Sequence, residues 1–123
     1  MLLSLTRDID GHSGFFQISP HDILYFSHDD GHVVFHLQHE EYLAMGSLKY
    51  FCAALNASGF RFQKVDRNTV VNMDKVMLVN QKRGMLYFEH VIEAKSKNCP
   101  VAFMNYKQII KQIKLINPEL IIQ

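Results

Sequence analysis

The chain has almost no surplus charge: 13 Lys and Arg stand against 12 Asp and Glu among its 123 residues, a formal net charge of +1. That balance excludes the chain-wide basic field of histone-like proteins, so any nucleic-acid binding must use locally placed cations. There are two cysteines, Cys52 and Cys99, in unrelated contexts, which leaves nothing to build a zinc ribbon or a disulfide framework. The cysteine usage fits a reducing, cytoplasmic environment. Leu2 and Leu3 begin an apolar N-terminus, but Arg7, Asp8 and Asp10 interrupt it before a secretory core can form. Nowhere is there an apolar run long enough to span a membrane, so no membrane partner is expected. A glycine-rich phosphate loop, a nucleophile elbow and a His-Glu-x-x-His pattern are all missing, which leaves catalysis and cofactors without sequence support. No repeat, linker or low-complexity stretch divides the chain.

What remains is apolar and strand-rich. A hydrophobic fraction of 48% is ample for one core, and the length predicts a single domain over residues 1–123. After the break at Gly11-His12-Ser13-Gly14, Phe15 to Ile18 reads as a short strand closed by Ser19 and Pro20. Asp22 to Phe26 reads as a buried strand, and Asp29-Asp30-Gly31 as the turn of a hairpin. In the returning strand Val33, Phe35 and Leu37 share one face, while His32, Val34, His36 and Gln38 share the other, which is expected to be the wetter one. Glu41 to Met45 adds a strand. Gly46-Ser47 caps a helix from about Leu48 to Asn56 with a core stripe of Leu48, Phe51, Cys52 and Leu55, and Gly59 is placed to end it in a left-handed conformation.

Farther on, Val76 to Val79 and Met85 to Phe88 flank Gln81-Lys82-Arg83-Gly84 as a second hairpin, with an extension expected through Val91 and Ile92. Ser96 to Pro100 reads as a polar loop and Val101 to Phe103 as a short strand. Asn105 is placed to cap a last helix with the apolar face Tyr106, Ile109, Ile110, Ile113 and Ile116. Lys107, Lys111 and Lys114 line its opposite face, and Pro118 limits it.

The most informative stretch is Phe62-Gln63-Lys64-Val65-Asp66-Arg67-Asn68-Thr69-Val70-Val71-Asn72, followed by Met73, Asp74, Lys75 and Val76. Apolar anchors at Phe62 and Val65, a polar run from Asp66 to Asn68 and a β-branched strand ending in Asn72 resemble the central motif of LytTR-type DNA-binding domains. The order of the other elements fits that family too, from the strand Asp22 to Phe26, through the helix headed by Ser47-Leu48, to the final Tyr106 segment. The resemblance covers roughly Ile18 to Ile113. It implies a mostly β (α+β) fold of several short antiparallel sheets with one central helix and a C-terminal helix. It also implies a non-enzymatic regulator whose loops enter successive grooves of double-stranded DNA, with direct repeats bound by two copies. Family members usually join the domain to a receiver or a membrane sensor, so such a domain is expected on a longer chain or the regulator stands alone.

By the same resemblance, the contacts fall at the His28 to His32 turn, at Arg67 with Asn68, and around Met104-Asn105. Arg67 is the leading candidate, because a guanidinium can fork two hydrogen bonds onto guanine or phosphate; the plain alternative is a surface pair with Asp66. Asn68 can reach phosphate or adenine, or simply hold a turn. His32, just past the hairpin turn, is the family's position for a DNA-touching side chain, and His28 rivals it. At the third loop the family commonly carries an arginine where this chain has Met104. Asn105 or Lys107, or Lys95 and Lys97 in the preceding loop, then become the substitutes, although Asn105 reads first as a helix cap and Lys107 as part of a solvated face.

Two other readings compete. His28, His32, His36 and His39 have the spacing of a helical zinc site, but Asp29-Asp30-Gly31 breaks any helix there, so no metal is assigned. The second is a LytTR-like module that acts on another regulator through protein contact, with weak or no DNA binding. A continuous positive surface joining Arg67, His32 and the Lys95 to Lys107 region separates DNA binding from that alternative.

Overall fold

Short strands broken by tight turns pair mostly with their sequence neighbours, and in the computed structural model, which describes residues 1–123, they build three sheets. In chain order the elements are β1 (Leu3–Leu5), β2 (Phe16–Ile18), a 3-10 turn at Pro20–Asp22, β3 (Tyr25–Asp29), β4 (His32–His36), β5 (Glu41–Met45) and α1 (Leu48–Ala57). There follow β6 (Phe62–Asp66), β7 (Thr69–Asn72), a 3-10 turn at Met73–Lys75, β8 (Leu78–Asn80), β9 (Met85–Tyr87) and β10 (Asn98–Pro100). A 3-10 turn at Phe103–Asn105, α2 (Tyr106–Ile116) and β11 (Ile121–Ile122) complete the chain. The central sheet is antiparallel and runs β5-β4-β3-β7-β6, a second runs β10-β9-β8-β11, and β1 pairs with β2. The fold is mostly β with two helices, as expected.

The hairpin between β3 and β4 turns on Asp30 and Gly31, at φ 45° and 86°, the two positive values that match a two-residue turn to the twist of its strands. Ser47 caps α1, its side chain accepting from the Tyr50 amide, and Gly59 follows the helix at φ 98°. Helix α1 packs on one face of the central sheet. That core holds Phe26, Val33, Phe35, Leu55, Phe62 and Val70, with Leu5 and Ile18 from the N-terminal pair. The other face meets the second sheet and α2 through Val65, Val71, Val79, Leu86, Cys99, Ile109 and Ile113. Asn72, 2% exposed, fastens the strand end between them. Its Nδ2 donates to the Ile23 carbonyl at 2.9 Å and its Oδ1 accepts from the Asp74 amide at 3.2 Å, a role in the fold as its place in the motif suggests.

Several expectations need correction. The even-numbered face of β4 is not wet: His32 and Val34 are both 7% exposed, because the central sheet is covered on both sides. Alternation looked one-sided only because His32 and His36 are polar residues placed toward a second layer. Residues Asp22 to Leu24 precede β3, which starts at Tyr25 and runs on through His28 and Asp29. Val91 and Ile92 lie outside any strand, as do Val101 and Phe103. Instead Asn98–Pro100, read as loop, pairs with β9 and puts Cys99 opposite Leu86. Only one of those three residues is apolar, and proline is tolerated there because β10 is an edge strand. The strands β1 and β11 at the two ends of the chain were not anticipated at all.

His36 joins the layers. Its ring stacks on Tyr25 at 4.2 Å, and Tyr25 stacks on Phe88 of the second layer at 5.7 Å. Burial pushes the imidazole down to about 4; Glu41 opposes that shift and Lys97 adds to it. A depressed histidine is neutral in the fold and charges more easily when unfolded. Its stabilising share is therefore fully present above its ordinary value near 6.5 and is lost as pH falls through about 4. We expect wild type to lose about 2–3 kcal/mol more than His36→Phe between those limits, measured by urea unfolding across pH.

Candidate nucleic-acid interface

The strand registers bring two turns to one end of the central sheet. Ser27 pairs with Thr69, so β3 leaves toward the Asp30-Gly31 turn just where β7 arrives from Arg67 and Asn68. The side chain of Asn68 ties them: its Nδ2 donates to the His28 carbonyl at 2.8 Å. A third loop is hung on the same end. The Ala102 amide donates to the carbonyl of Val65, two residues before Arg67, at 2.8 Å, and the Val101 amide donates to the Gly84 carbonyl at 2.8 Å. The buried Cys99 thiol, pushed up by burial and further by the Asp66 carboxylate, marks the same junction of β10 with β6.

Of the candidate residues, Arg67, Asn68 and His28 stand together and exposed, and Asn105 lies on the loop hung beside them. Arg67 makes no ion pair; the expected alternative partner Asp66 does not hold it. His32 departs from expectation, for it is 7% exposed and its Nδ1 is buried without a hydrogen-bond partner. It supports the turn from within, and His28 is the exposed histidine there. Asn105 occupies the cap position of α2 but makes no side-chain cap bond. The helix is entered through the 3-10 turn, with the Asn105 amide donating to the Ala102 carbonyl at 2.9 Å and the Tyr106 amide donating to that of Phe103. The Asn105 side chain is thereby left free. Lys107 is exposed in the first turn of α2, whereas Lys97 is drawn to Glu41 at 3.6 Å.

Charge is unevenly placed around this end. From Lys95 to Pro118 there are five lysines and no carboxylate, within a chain that is otherwise acidic. Conversely, the β3–β4 turn carries exposed Asp29 and Asp30, so the positive surface does not run unbroken from Arg67 across it. Phe103, expected in a strand, and Met104, in the expected contact region, are 95% and 94% exposed, an apolar prominence that the local pattern does not signal. Asp8, Asp10 and His12 bring ligand atoms within 4.8 Å of one another in a loop of the N-terminal segment, away from the histidines considered for a metal.

The LytTr DNA-binding domain family model matches residues 13–114. The chain belongs to the LytTR family. Among solved structures it is similar to the LytTr DNA-binding domain of a Bacillus cereus protein described as a methyl-accepting/DNA response regulator. The two share 14% identity over 91% of this chain and 94% of that one, with a TM-score of 0.66, which is a likeness of fold. No curated protein matches the chain. No helix is long and apolar enough to cross a membrane.

In this LytTR domain the turns owe their relative placement to few bonds, and Asn68 supplies the one side-chain link. Asn68→Ala is expected to lower stability by about 0.5–1.5 kcal/mol and to speed amide exchange at Asp29 and Asp30. A lower urea midpoint at unchanged slope, with faster exchange confined to those turns, is the signature.

Proposed function

We propose that this chain is a sequence-specific DNA-binding transcription regulator, or the DNA-binding module of a response regulator, and that it reads duplex DNA through the turns at one end of its central sheet. The observation that carries this is the convergence of an unpaired Arg67 with two further exposed loops, in a chain whose family is one of DNA-binding domains. Arg67 is the base reader, able to span guanine O6 and N7. His28 and Asn105 extend the reading to either side, and Asn68 acts mainly by holding the first two turns together. Lys107 serves the phosphates, since a flexible ammonium acts as a point charge and carries no sequence information.

The acidic turn constrains the pose. Asp29 and Asp30 are repelled by phosphate, so that turn must face base edges, where a carboxylate can accept from cytosine N4. Binding as two copies on direct repeats fits so small a reading surface, and a receiver or sensor on a longer chain is the arrangement that the family resemblance implies. The competing reading is a module that binds another regulator rather than DNA, favoured by the near-neutral charge, by Met104 in the third loop, and by the buried His32 and the acidic Asp29 and Asp30 that break the positive surface beside Arg67.

Selection from a randomised duplex pool separates the two. Wild type is expected to enrich one repeated motif, and Arg67→Ala to bind the selected site about 5- to 150-fold more weakly with relaxed preference at one base pair. Failure to enrich any motif, with weak binding at low salt only, favours the protein-partner reading. Lys107→Gln has a different expected signature. It weakens binding to all sequences alike and makes the slope of log affinity against log salt shallower by about 1, readable by fluorescence anisotropy over a salt series.

A further inference from the structure

Phe103 and Met104 are the two most exposed large apolar side chains in the molecule, at 95% and 94%. They are neighbours on a 3-10 turn whose backbone is fixed. Amides of Val101, Ala102 and Asn105 donate to the carbonyls of Gly84, Val65 and Ala102 at 2.8, 2.8 and 2.9 Å. The apolar tip is therefore held out in solvent by a rigid support, the arrangement in which little ordering is left for a ligand to supply. Neither a core nor a helix contact uses it.

The surroundings indicate what meets this tip. Arg67 lies two residues beyond the Val65 anchor, and Lys107 follows three residues after Met104. No carboxylate occurs between Lys95 and Pro118. A partner must then offer small apolar groups set among anionic ones. Double-stranded DNA does so in its major groove, where each thymine presents a 5-methyl group between two phosphate backbones. A phenyl ring and a polarisable thioether suit such a methyl, and neither gains from a phosphate oxygen. We infer that Phe103 and Met104 form an apolar reading tip that contacts thymine methyl groups, at a place distinct from the base pair read by Arg67. The inference rests on the DNA-binding reading above and adds to it a base preference for this loop.

The test uses the selected duplex with each thymine replaced in turn by uracil, which removes the methyl and leaves pairing intact. Wild type is expected to lose about three- to fourfold in affinity at one or two positions, the effect of withdrawing one buried methyl-sized group. The double variant F103A/M104A is expected to bind the thymine site roughly tenfold more weakly and to be indifferent to uracil at those positions. Both side chains are almost fully exposed, so its thermal midpoint stays at the wild-type value and loss of folding is not confounded with loss of contact. A wild-type protein that binds its selected site but ignores every uracil replacement overturns this inference alone. So does a double variant with full affinity, which would leave the tip to a protein partner. A wild-type protein that selects no duplex overturns the DNA-binding reading and this inference together.

Discussion

Val70 and Val71 are adjacent in β7, and their side chains enter different cores, one under α1 and the other against the second sheet and α2. The same division runs through β6, where Phe62 serves the first core and Val65 the second. Alternation in a strand usually separates a dry face from a wet one. Here it separates two dry faces, and the consequence governs the whole molecule. A sheet covered on both sides offers a ligand only its edges and the turns at its ends. Recognition is therefore confined to backbone corners, where the exposed polar residues of the central motif lie. The strands act as the rigid support from which those corners project.

Corners read DNA usefully only if their separation is fixed. Turns are the least constrained parts of a β fold, and each additional bond between them removes motion that binding would otherwise have to suppress. Two bonds matter most in this chain. Asn68 to the His28 carbonyl couples the β6–β7 and β3–β4 turns, and the Ala102 amide to the Val65 carbonyl couples the third loop to β6. The first uses a side chain and the second only backbone. That difference explains why Phe103 and Met104 can project into solvent without disturbing the support.

The extent to which the sequence was legible follows from the same double burial. Hairpins with glycine at the turn, the Ser47-capped helix and the apolar stripe of α2 were readable because each depends on local chemistry: a positive φ, a cap, a period near 3.6. The side of β4 was not, since polar His32 and His36 suggested solvent and only a second layer buries them. Nor was β10, whose single apolar residue Cys99 is placed by pairing with β9 rather than by any pattern of its own. At the candidate site, the position of Arg67 in a turn was legible. Its freedom from Asp66 and the bond from Asn68 depend on register between strands about 40 residues apart, which no local window contains.

Charge completes the constraint on how the end of the sheet can meet a duplex. Lys107, Lys111 and Lys114 lie along α2, which starts from the third loop, and Lys95 and Lys97 precede β10, whereas Asp29 and Asp30 occupy the first turn. Phosphates line both walls of a groove, so a protein approaching with acid on one corner and cations on another gains most when only the cationic corner crosses the backbone. On the proposed reading the acidic corner is then left over base edges, and Arg67, between the two, is carried into the groove rather than along its wall. A uniformly basic surface would bind more tightly and select less. With a net charge of only +1, non-specific attraction is limited to what the locally placed lysines supply, and on the proposed reading the side chains that meet bases carry a correspondingly larger share.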